Sequence, residues 1–236
     1  MKNVNIRYNV ITFPGSNCDH DIQWISQLHG GVCEFVWHKD SVLKNPDIVV
    51  VPGGFSYGDY LRVGAVAKFS NVMKAVIEFA EKGGLVLGIC NGFQILTEAG
   101  LLPGALLMNN TLKFICQHQL VKIESNATPF TNLYEKGEVV DIPVSHKNGN
   151  YYIDDEGLKR LLDNGQIVFK YADMYGNTDA GVNPNGSVFN IAGIVNEKGN
   201  VLGMMPHPER AADCALPTDG GSRLFESVYK WVCERI

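Results

Sequence analysis

The sequence predicts an α/β fold, an open, mostly parallel twisted sheet with helices on both faces and antiparallel strands in the second half. In the first half, uninterrupted apolar segments such as residues 47–51 and 85–89 alternate with amphipathic helical segments. Strands that are apolar on both sides are typical of a parallel sheet covered by helices. In the second half, Asn-Gly and Lys-Gly turns separate shorter strand patterns, which is typical of antiparallel pairing.

The first half is predicted to hold four strands and three helices. A turn over residues 14–17 separates the first strand from the first helix, and Ser16 or Asn17 is the expected N-cap. Gly83 and Gly84 are expected to end the second helix. The predicted strands are residues 4–12, 32–37, 47–51 and 85–89. The predicted helices, from apolar residues at helical spacing, are residues 22–28, 66–80 and 92–99.

The second half is predicted to hold five strands and two helices. Residues 114–124 and 138–144 have the pattern of two strands that could pair antiparallel. The other predicted strands are residues 166–171, 188–195 and 200–205, and the predicted helices are residues 155–162 and 222–235. No repeat, low-complexity stretch or linker interrupts the sequence, so we expect residues 1–236 to form a single domain.

Composition and charge argue against several classes of protein. The chain has 236 residues and a formal net charge of -5, with a pI of about 5.7. Lysine and arginine form no cluster, so we expect neither a nucleic-acid partner nor a polybasic membrane patch. The N-terminal residues lack the pattern of a secretory signal, and no apolar run approaches the roughly 20 residues of a membrane helix. A soluble, cytoplasmic protein is therefore expected.

The six cysteines are scattered along the chain without a C-x-x-C pair. This distribution favours reduced thiols over a disulfide framework. Two Cys-x-His pairs occur, but their spacing differs from that of usual zinc ligands, so we predict no metal site. The cysteines are Cys18, Cys33, Cys90, Cys116, Cys214 and Cys233.

The segment Gly88-Ile89-Cys90-Asn91-Gly92 predicts a nucleophile. A buried strand leads directly into a helix through Gly-x-Cys-x-Gly, the cysteine form of the nucleophile elbow. Such a corner needs glycine at its flanks, and it presents the sulfur at the carboxyl edge of the sheet and at a helix N-terminus, which favours the thiolate. The alternative is a structural cysteine in a tight turn.

A cysteine nucleophile needs a general base, and Pro206-His207-Pro208-Glu209 supplies a candidate after a second apolar strand. In extended chain, residues two apart point the same way. We therefore expect Glu209 to hold one imidazole nitrogen while the other faces Cys90, in the logic of a catalytic triad. The alternative is an exposed loop with an incidental ion pair.

Attack on an amide also requires stabilisation of a negative oxygen. The N–H of Asn91, directly after the nucleophile, is the first expected donor. The second is expected from the Val51-Pro52-Gly53-Gly54-Phe55 turn, where the N–H of Gly54 is the preferred candidate because glycine permits close approach. Without Cys90, an ordinary strand-terminating turn would be the simpler interpretation.

Together these residues resemble the class I (triad) glutamine amidotransferases, which have a flavodoxin-like fold. Further stretches, which span nearly the whole chain, narrow the resemblance to the glutaminase subunits of phosphoribosylformylglycinamidine synthases. The Gly-Phe-Ser-Tyr-Gly-Asp-Tyr-Leu-Arg run at residues 54–62 is the most specific. The other stretches are residues 13–19, 183–187, 191–194 and 203–210.

The resemblance implies that glutamine is cleaved to glutamate and ammonia. The ammonia would be used on a separate large synthetase subunit, which would consume ATP with Mg, and a small third subunit would bridge the two. No cofactor is expected on this chain, since it has neither a Walker A loop nor a G-x-G fingerprint. The candidate glutamine contacts are Gly53, Phe55, Gln94 and His146.

One segment departs from the family pattern. The family usually has His-Gly-Glu-Gly where this chain has His146-Lys147-Asn148-Gly149, so an acidic role does not carry over to this loop. Two other readings of the whole chain remain. It could be a stand-alone cysteine hydrolase of similar fold, such as a γ-glutamyl hydrolase, or a non-catalytic binding subunit that keeps the fold.

Overall fold

A computed structural model describes residues 5–235 and places most strands of these residues in one nine-stranded sheet. Two short two-stranded sheets accompany it. Strands β1–β13 are, in order, Ile6–Thr12, Gly31–Trp37, Ile48–Val51, Leu85–Ile89, Ala105–Leu107, Ile115–Gln117, Leu120–Ile123, Val139–Asp141, Val144–His146, Asn150–Tyr152, Ile167–Tyr171, Ile191–Val195 and Val201–Met204. Helices α1–α5 are Asp19–Leu28, Asn71–Glu81, Asn91–Glu98, Asp155–Asp163 and Ser222–Cys233.

The strand order confirms the predicted mixed α/β sheet. The large sheet runs β2-β1-β3-β4-β13-β12-β11-β7-β8. Its first five strands are parallel and the remaining neighbours pair antiparallel. The order reverses at β1, so right-handed crossovers place α1 and α2 on opposite faces. Crevices for ligands in such sheets lie outside the carboxyl ends of the strands near this reversal.

The central strands are buried because their residues are apolar on both sides. Every residue of β3, β4 and β13 is buried, and these strands belong to one hydrophobic core with the apolar faces of the helices. Burial of each such side chain contributes about 1.5–3 kcal/mol to folding. No helix within residues 5–235 has the length and apolar character needed to cross a membrane.

The corner between β4 and α3 is packed so closely that only glycine fits. A Cβ added at Gly92 would lie 1.8 Å from the carbonyl oxygen of Val51, at the end of β3. A Cβ added at Gly88 would lie 2.9 Å from the carbonyl carbon of Gly92. Both distances are well below van der Waals contact, so α3 can begin directly above the sheet edge only because these side chains are missing.

The predicted helix over residues 66–80 is partly wrong. Its first part is a 3₁₀ turn, Ala67–Phe69, and the chain is then extended at Ser70 (φ -64, ψ 151) before α2 begins. Phe69 is exposed and does not belong to the apolar face on which the prediction relied. The apolar residues before and after Ser70 therefore have helical spacing only by coincidence, although the helix is interrupted at Ser70.

The predicted N-cap of the first helix is also wrong. Cys18 occupies that position, and no side chain caps α1. The Ser16 hydroxyl instead accepts a hydrogen bond from the N–H of Phe13 at 3.0 Å. The Asn17 side chain accepts one from the Cys18 thiol at 3.1 Å. These contacts fold the turn back on itself, so neither side chain reaches the helix.

In the second half, the long predicted strands are divided between sheets. Residues 114–124 contain β6 and β7, and residues 138–144 contain β8 and the start of β9. The predicted antiparallel pairing is confirmed as β7 with β8 and β6 with β9.

Two smaller differences concern the start of β12 and the short strands β5 and β10. Residues 188–190 form a 3₁₀ turn rather than the start of β12, since Phe189 and Asn190 have positive φ. The prediction missed β5 and β10, because three residues are too few to show a period of two. Val4, the first residue of the first predicted strand, lies outside the described residues.

Gly92→Ala is expected to destabilise the protein, since the added methyl group would collide with the backbone of β3. We expect the free energy of unfolding, measured in urea, to fall by about 1–3 kcal/mol. Gly181→Ala is the matched control, because a Cβ there meets nothing within 4 Å. It should change stability by less than about 0.5 kcal/mol. Equal stability of the two variants would contradict the packing argument.

Candidate active site

Cys90 lies at the corner where β4 ends and α3 begins. Its backbone has φ 51 and ψ -103, a strained conformation for a residue with a side chain. The N–H of Cys90 donates to the carbonyl of Met204 at 2.7 Å, which ties the corner to the end of β13. The thiol is buried and its sulfur lies 3.5 Å from the carbonyl oxygen of Ser145. The strained turn and the backbone bond to Met204 together determine the direction in which the sulfur points.

His207 and Glu209 follow β13, which pairs parallel with β4. Because Met204 is in register with Ile89, both strands end at the same edge of the sheet. His207 and Glu209 are both 2% exposed, and their Nδ1 and Oε1 atoms are 2.6 Å apart. The N–H of His207 donates to the carbonyl of Pro143 at 2.8 Å. His207 is thereby held in place through both its backbone N–H and its ring nitrogen Nδ1.

The expected route to this contact is wrong, although the contact forms. We expected extended chain at His207 and Glu209, but Pro208–Arg210 is a 3₁₀ turn. Pro208 has the backbone angle of a first helical position and so starts a turn instead of prolonging the strand. The tight turn brings the carboxylate back beside the ring of the residue two positions earlier.

The protonation of His207 is set by its neighbours. Burial opposes the charged imidazolium, but the Glu209 carboxylate and the nearby Cys90 outweigh it and raise the pKa of His207 well above its usual value. Glu209 occupies Nδ1, and Nε2 is buried without a hydrogen-bond partner among the described residues. Nε2 is therefore the nitrogen available to exchange a proton with the Cys90 thiol or a bound substrate.

The two predicted oxyanion donors come from different elements, Gly54 from the turn after β3 and Asn91 from the start of α3. Gly54 forms an isolated β-bridge with Ser16. The N–H of Phe55 donates to the carbonyl of Gly15, whereas the N–H of Gly54 donates to no backbone carbonyl among the described residues. A Cβ at Gly54 (φ +150) would lie 2.7 Å from the carbonyl oxygen of Gly15. Asn91 starts α3, where the first N–H groups have no intrahelical acceptor. Their role as an oxyanion hole stays a prediction.

A small cavity of about 90 Å³ brings most of the predicted residues together. Glu209 and Asn91 lie behind its wall. Gly53 does not line it either, and it packs instead against the imidazole, where a Cβ would lie 2.8 Å from Cε1 of His207. The predicted residues that line the cavity are Gly54, Phe55, Cys90, Gln94, His146 and His207.

Gln94 forms part of the cavity wall, but both ends of its amide are already bonded. Its Oε1 accepts from the Asn91 side chain at 3.0 Å, and its Nε2 donates to the carbonyl of Asn148 at 2.6 Å. Asn91 in turn accepts from the N–H of Ser56 at 3.1 Å. This chain of bonds joins α3 to two loops, those of Ser56 and Asn148. Direct contact of Gln94 with substrate stays a prediction.

His146 is buried beside the same cavity. Its Nδ1 lies 3.2 Å from Oδ1 of Asn109, and its Nε2 has no hydrogen-bond partner among the described residues. Burial and the positive charge of His207 lower the pKa of His146 to about 4. His146 is therefore neutral at pH 7 and can act there only as an uncharged contact.

Two residues that the sequence did not identify lie beside the His207–Glu209 pair. The Cys18 sulfur lies 4.0 Å from Nδ1 of His207, and Arg210 donates to that sulfur at 3.0 Å. Both residues fall within stretches that carried the family resemblance, residues 13–19 and 203–210. The sequence placed them near the site without giving either a role.

Cys18, His207 and Glu209 offer three atoms within 4.8 Å of one another, a set that could in principle ligate a metal. The Arg210 guanidinium lies 3.0 Å from the sulfur, so a positive charge already stands beside the cluster. The 2.6 Å contact of Nδ1 with Oε1 is that of a direct hydrogen bond and leaves no room for an ion between them. We therefore interpret the cluster as a hydrogen-bonded network.

Comparisons with known proteins agree on one family. The family model of the CobB/CobQ-like glutamine amidotransferase domain matches residues 5–232. The chain is 53% identical to phosphoribosylformylglycinamidine synthase subunit PurQ of Moorella thermoacetica, over 96% of each chain. It is 54% identical to the subunit of the same name from Koribacter versatilis, over 98% of this chain and all of the relative.

Solved structures give the same result. The structure of PurLQS from Thermotoga maritima contains a chain that is 42% identical, with a TM-score of 0.86, and the match covers 97% of this chain and all of that one. A glutamine amidotransferase from the same organism has a TM-score of 0.56 at 16% identity, which shows the fold alone.

An elbow cysteine and a buried His–Glu pair at one edge of this α/β sheet are the arrangement expected of a triad amidotransferase. The chain is a glutamine amidotransferase and belongs to the family of phosphoribosylformylglycinamidine synthase subunits PurQ.

The lowered pKa of His146 predicts a contribution to the pH dependence of stability. Between about pH 6.5 and pH 4 the unfolded chain binds a proton at His146 that the folded chain does not. Folded stability from this residue is therefore complete above pH 6.5 and lost as pH falls, by about 3 kcal/mol. His146→Asn should lose this dependence, as measured by urea unfolding at pH 7 and pH 4. His20→Asn changes an exposed histidine as the control, and identical pH dependence in His146→Asn and wild type would refute the assignment.

Proposed function

We propose that this chain hydrolyses glutamine through a thioester at Cys90 and supplies the ammonia to a separate ATP-dependent synthetase. The acceptor is formylglycinamide ribonucleotide, which becomes its amidine in purine biosynthesis. The proposal includes a large synthetase subunit and a small bridging subunit as partners, with ATP and Mg bound by the partner. The observation that carries it is the convergence of Cys90, His207 and Glu209 at one sheet edge in a chain of this family.

The relatives support this function over a stand-alone γ-glutamyl hydrolase. Curated relatives at 50–54% identity over nearly their whole length are named as subunits of phosphoribosylformylglycinamidine synthase. The PurLQS structure likewise names an assembly that contains such a chain. The chain thus resembles a component of a synthase along its whole length, which a hydrolase acting alone would not require. A cytoplasmic location stays a prediction.

In the first half of the reaction, the Cys90 sulfur adds to the δ-carbonyl carbon of glutamine. The resulting negative oxygen accepts hydrogen bonds from the N–H groups of Gly54 and Asn91, each contributing about 3–4 kcal/mol. The imidazolium of His207 then gives its Nε2 proton to the departing nitrogen, and the carbon–nitrogen bond breaks. The products of this half are ammonia and a glutamyl thioester on Cys90.

In the second half, neutral His207 removes a proton from water as the water oxygen attacks the thioester. The carbon–sulfur bond breaks, glutamate leaves, and the sulfur and imidazolium return to their starting state. Glu209 keeps Nδ1 occupied throughout, so that Nε2 carries every proton transfer. Its carboxylate also offsets the charge that His207 carries between steps.

The narrow cavity supports activation by the partner. At about 90 Å³ it is well below the roughly 300–1,000 Å³ of ordinary small-molecule sites. A wider cavity would therefore admit a whole glutamine more readily. Association with the synthetase is the natural trigger, since it would keep glutamine from being cleaved when no acceptor is present.

A loop with exposed apolar side chains beside the cavity supports docking of the synthetase there. Tyr60 and Leu61 are 70% and 82% exposed. The loop has positive φ at Asp59 and Leu61, which is strained for residues with side chains. Arg62 donates two hydrogen bonds, each 2.6 Å, to Glu98 of α3. The loop therefore presents apolar groups to the solvent and is bonded through Arg62 to the helix that begins at the nucleophile.

Cys90→Ala tests the nucleophile. In the assembled complex it should reduce glutamine-dependent synthesis by on the order of 10³-fold or more, since no thioester can form. Added ammonium salt should still support synthesis, because the synthetase site is untouched. Cys214→Ala removes an exposed thiol and is the matched control. Normal use of glutamine by Cys90→Ala would show that the nucleophile assignment is wrong.

Leu61→Asp tests the docking loop. It places a charge on the exposed apolar surface and should weaken binding to the synthetase about tenfold, as measured by titration calorimetry. Val42→Asp is the control, because Val42 is 71% exposed and lies beside Arg7 at the amino end of β1, away from the cavity. If both variants bound the synthetase as wild type does, the partner would have to dock elsewhere.

A further inference from the structure

The thiol of Cys18 lies within the buried part of the site, yet the proposed mechanism does not use it. Cys18 is the N-cap of α1 and is 2% exposed. Its sulfur donates to Oδ1 of Asn17 at 3.1 Å and accepts from Nη2 of Arg210 at 3.0 Å. It also lies 4.0 Å from Nδ1 of His207. A buried thiol with these partners is placed to influence the charges around the imidazole.

Arg210 is the charged group that this thiol holds. Apart from the sulfur, its guanidinium has a longer bond, 3.4 Å, to Oδ2 of Asp21, which is half-exposed. Its Nε is already only 4.0 Å from Oε1 of Glu209. A small rotation of the side chain would therefore bring the guanidinium into direct contact with the Glu209 carboxylate.

Glu209 is open to such a contact. Its Oε1 bonds to Nδ1 of His207 at 2.6 Å, while its Oε2 is buried without a hydrogen-bond partner among the described residues. An arginine bond to a buried carboxylate is strong. The unused oxygen thus remains available to Arg210 unless another group holds the guanidinium away.

We propose that Cys18 is a positioning residue, whose thiol holds the Arg210 guanidinium off Glu209 so that this carboxylate serves His207 alone. The inference rests on the proposed function, because it concerns the same base. If Arg210 bonded to Glu209, the carboxylate would stabilise the imidazolium of His207 less. The base would then lose its proton at a lower pH.

Five charged or titratable groups face His207 from the elements around it. They are Glu209 and Arg210 on the following turn, Cys18 at the start of α1, Cys90 at the start of α3 and His146 at the end of β9. His146 is neutral above about pH 4. Arg210 is therefore the cation whose position can change the balance between Glu209 and His207.

The test measures kcat/KM for glutamine against pH in the assembled complex. In Cys18→Ala we expect the alkaline limb, where the imidazolium is lost, to move to lower pH by about one pH unit, with about tenfold lower activity above the limb. Cys18→Ser keeps an acceptor for Arg210 and should retain the limb of wild type. The double variant Cys18→Ala/Arg210→Gln removes the competing cation and should return the limb to its original position.

A purely structural role would give a different pattern, since removing Arg210 would not repair a packing defect. An unmoved limb in Cys18→Ala, or a shift that persists in the double variant, would overturn the proposal. If Cys18→Ala does not fold, Cys18→Val fills the space without offering an acceptor and replaces it. Absence of glutaminase activity in wild type would instead refute the proposed function, so the two failures are distinguishable.

Discussion

The parallel pairing of β4 with β13 is the constraint on which the site depends. It runs from Val201 opposite Val86 to Met204 opposite Ile89 and continues in the bond from the N–H of Cys90 to Met204. Two segments far apart in the chain therefore end at the same edge, one carrying the thiol and the other the imidazole. Close packing of α3 against both strands is part of this constraint. The Phe93 ring of α3 lies directly over Gly203 of β13, where an added Cβ would be 2.2 Å from it.

The same edge of the sheet also contains a buried charged pair, and only one of its two histidines is stabilised in the protonated form. The imidazoles of His207 and His146 both line the cavity, and of the two only His207 bonds to the Glu209 carboxylate. Taking an ion out of water is costly unless a partner compensates. Glu209 compensates His207, while His146 has only the neutral side chain of Asn109 and stays uncharged. One histidine thus carries the proton, and the other shapes the cavity without competing for it.

The sequence predicted the parallel strands and the elbow well, because both depend on local pattern. Apolar runs identified the buried strands, and glycines two residues either side of Cys90 matched the contacts that the corner requires. The elements that were misplaced depend on contacts between distant residues. Ser16 fails to cap α1 because its hydroxyl is bonded to Phe13. Likewise, no local pattern could reveal that Cys18, near the start of the chain, meets Arg210 and His207 near its end.

The departure at residues 146–149 shows which parts of a site are set by side chains and which by the backbone. Lys147 and Asn148 contribute carbonyl oxygens, which accept from the Asn109 N–H at 2.8 Å and from Gln94 at 2.6 Å. Positions that act through their carbonyls depend less on the identity of the side chain. Gly149 has no such freedom, because a Cβ there would lie 2.3 Å from the His146 ring. Gly149 is thus fixed by geometry, while Lys147 and Asn148 hold the wall of the cavity together through their carbonyls.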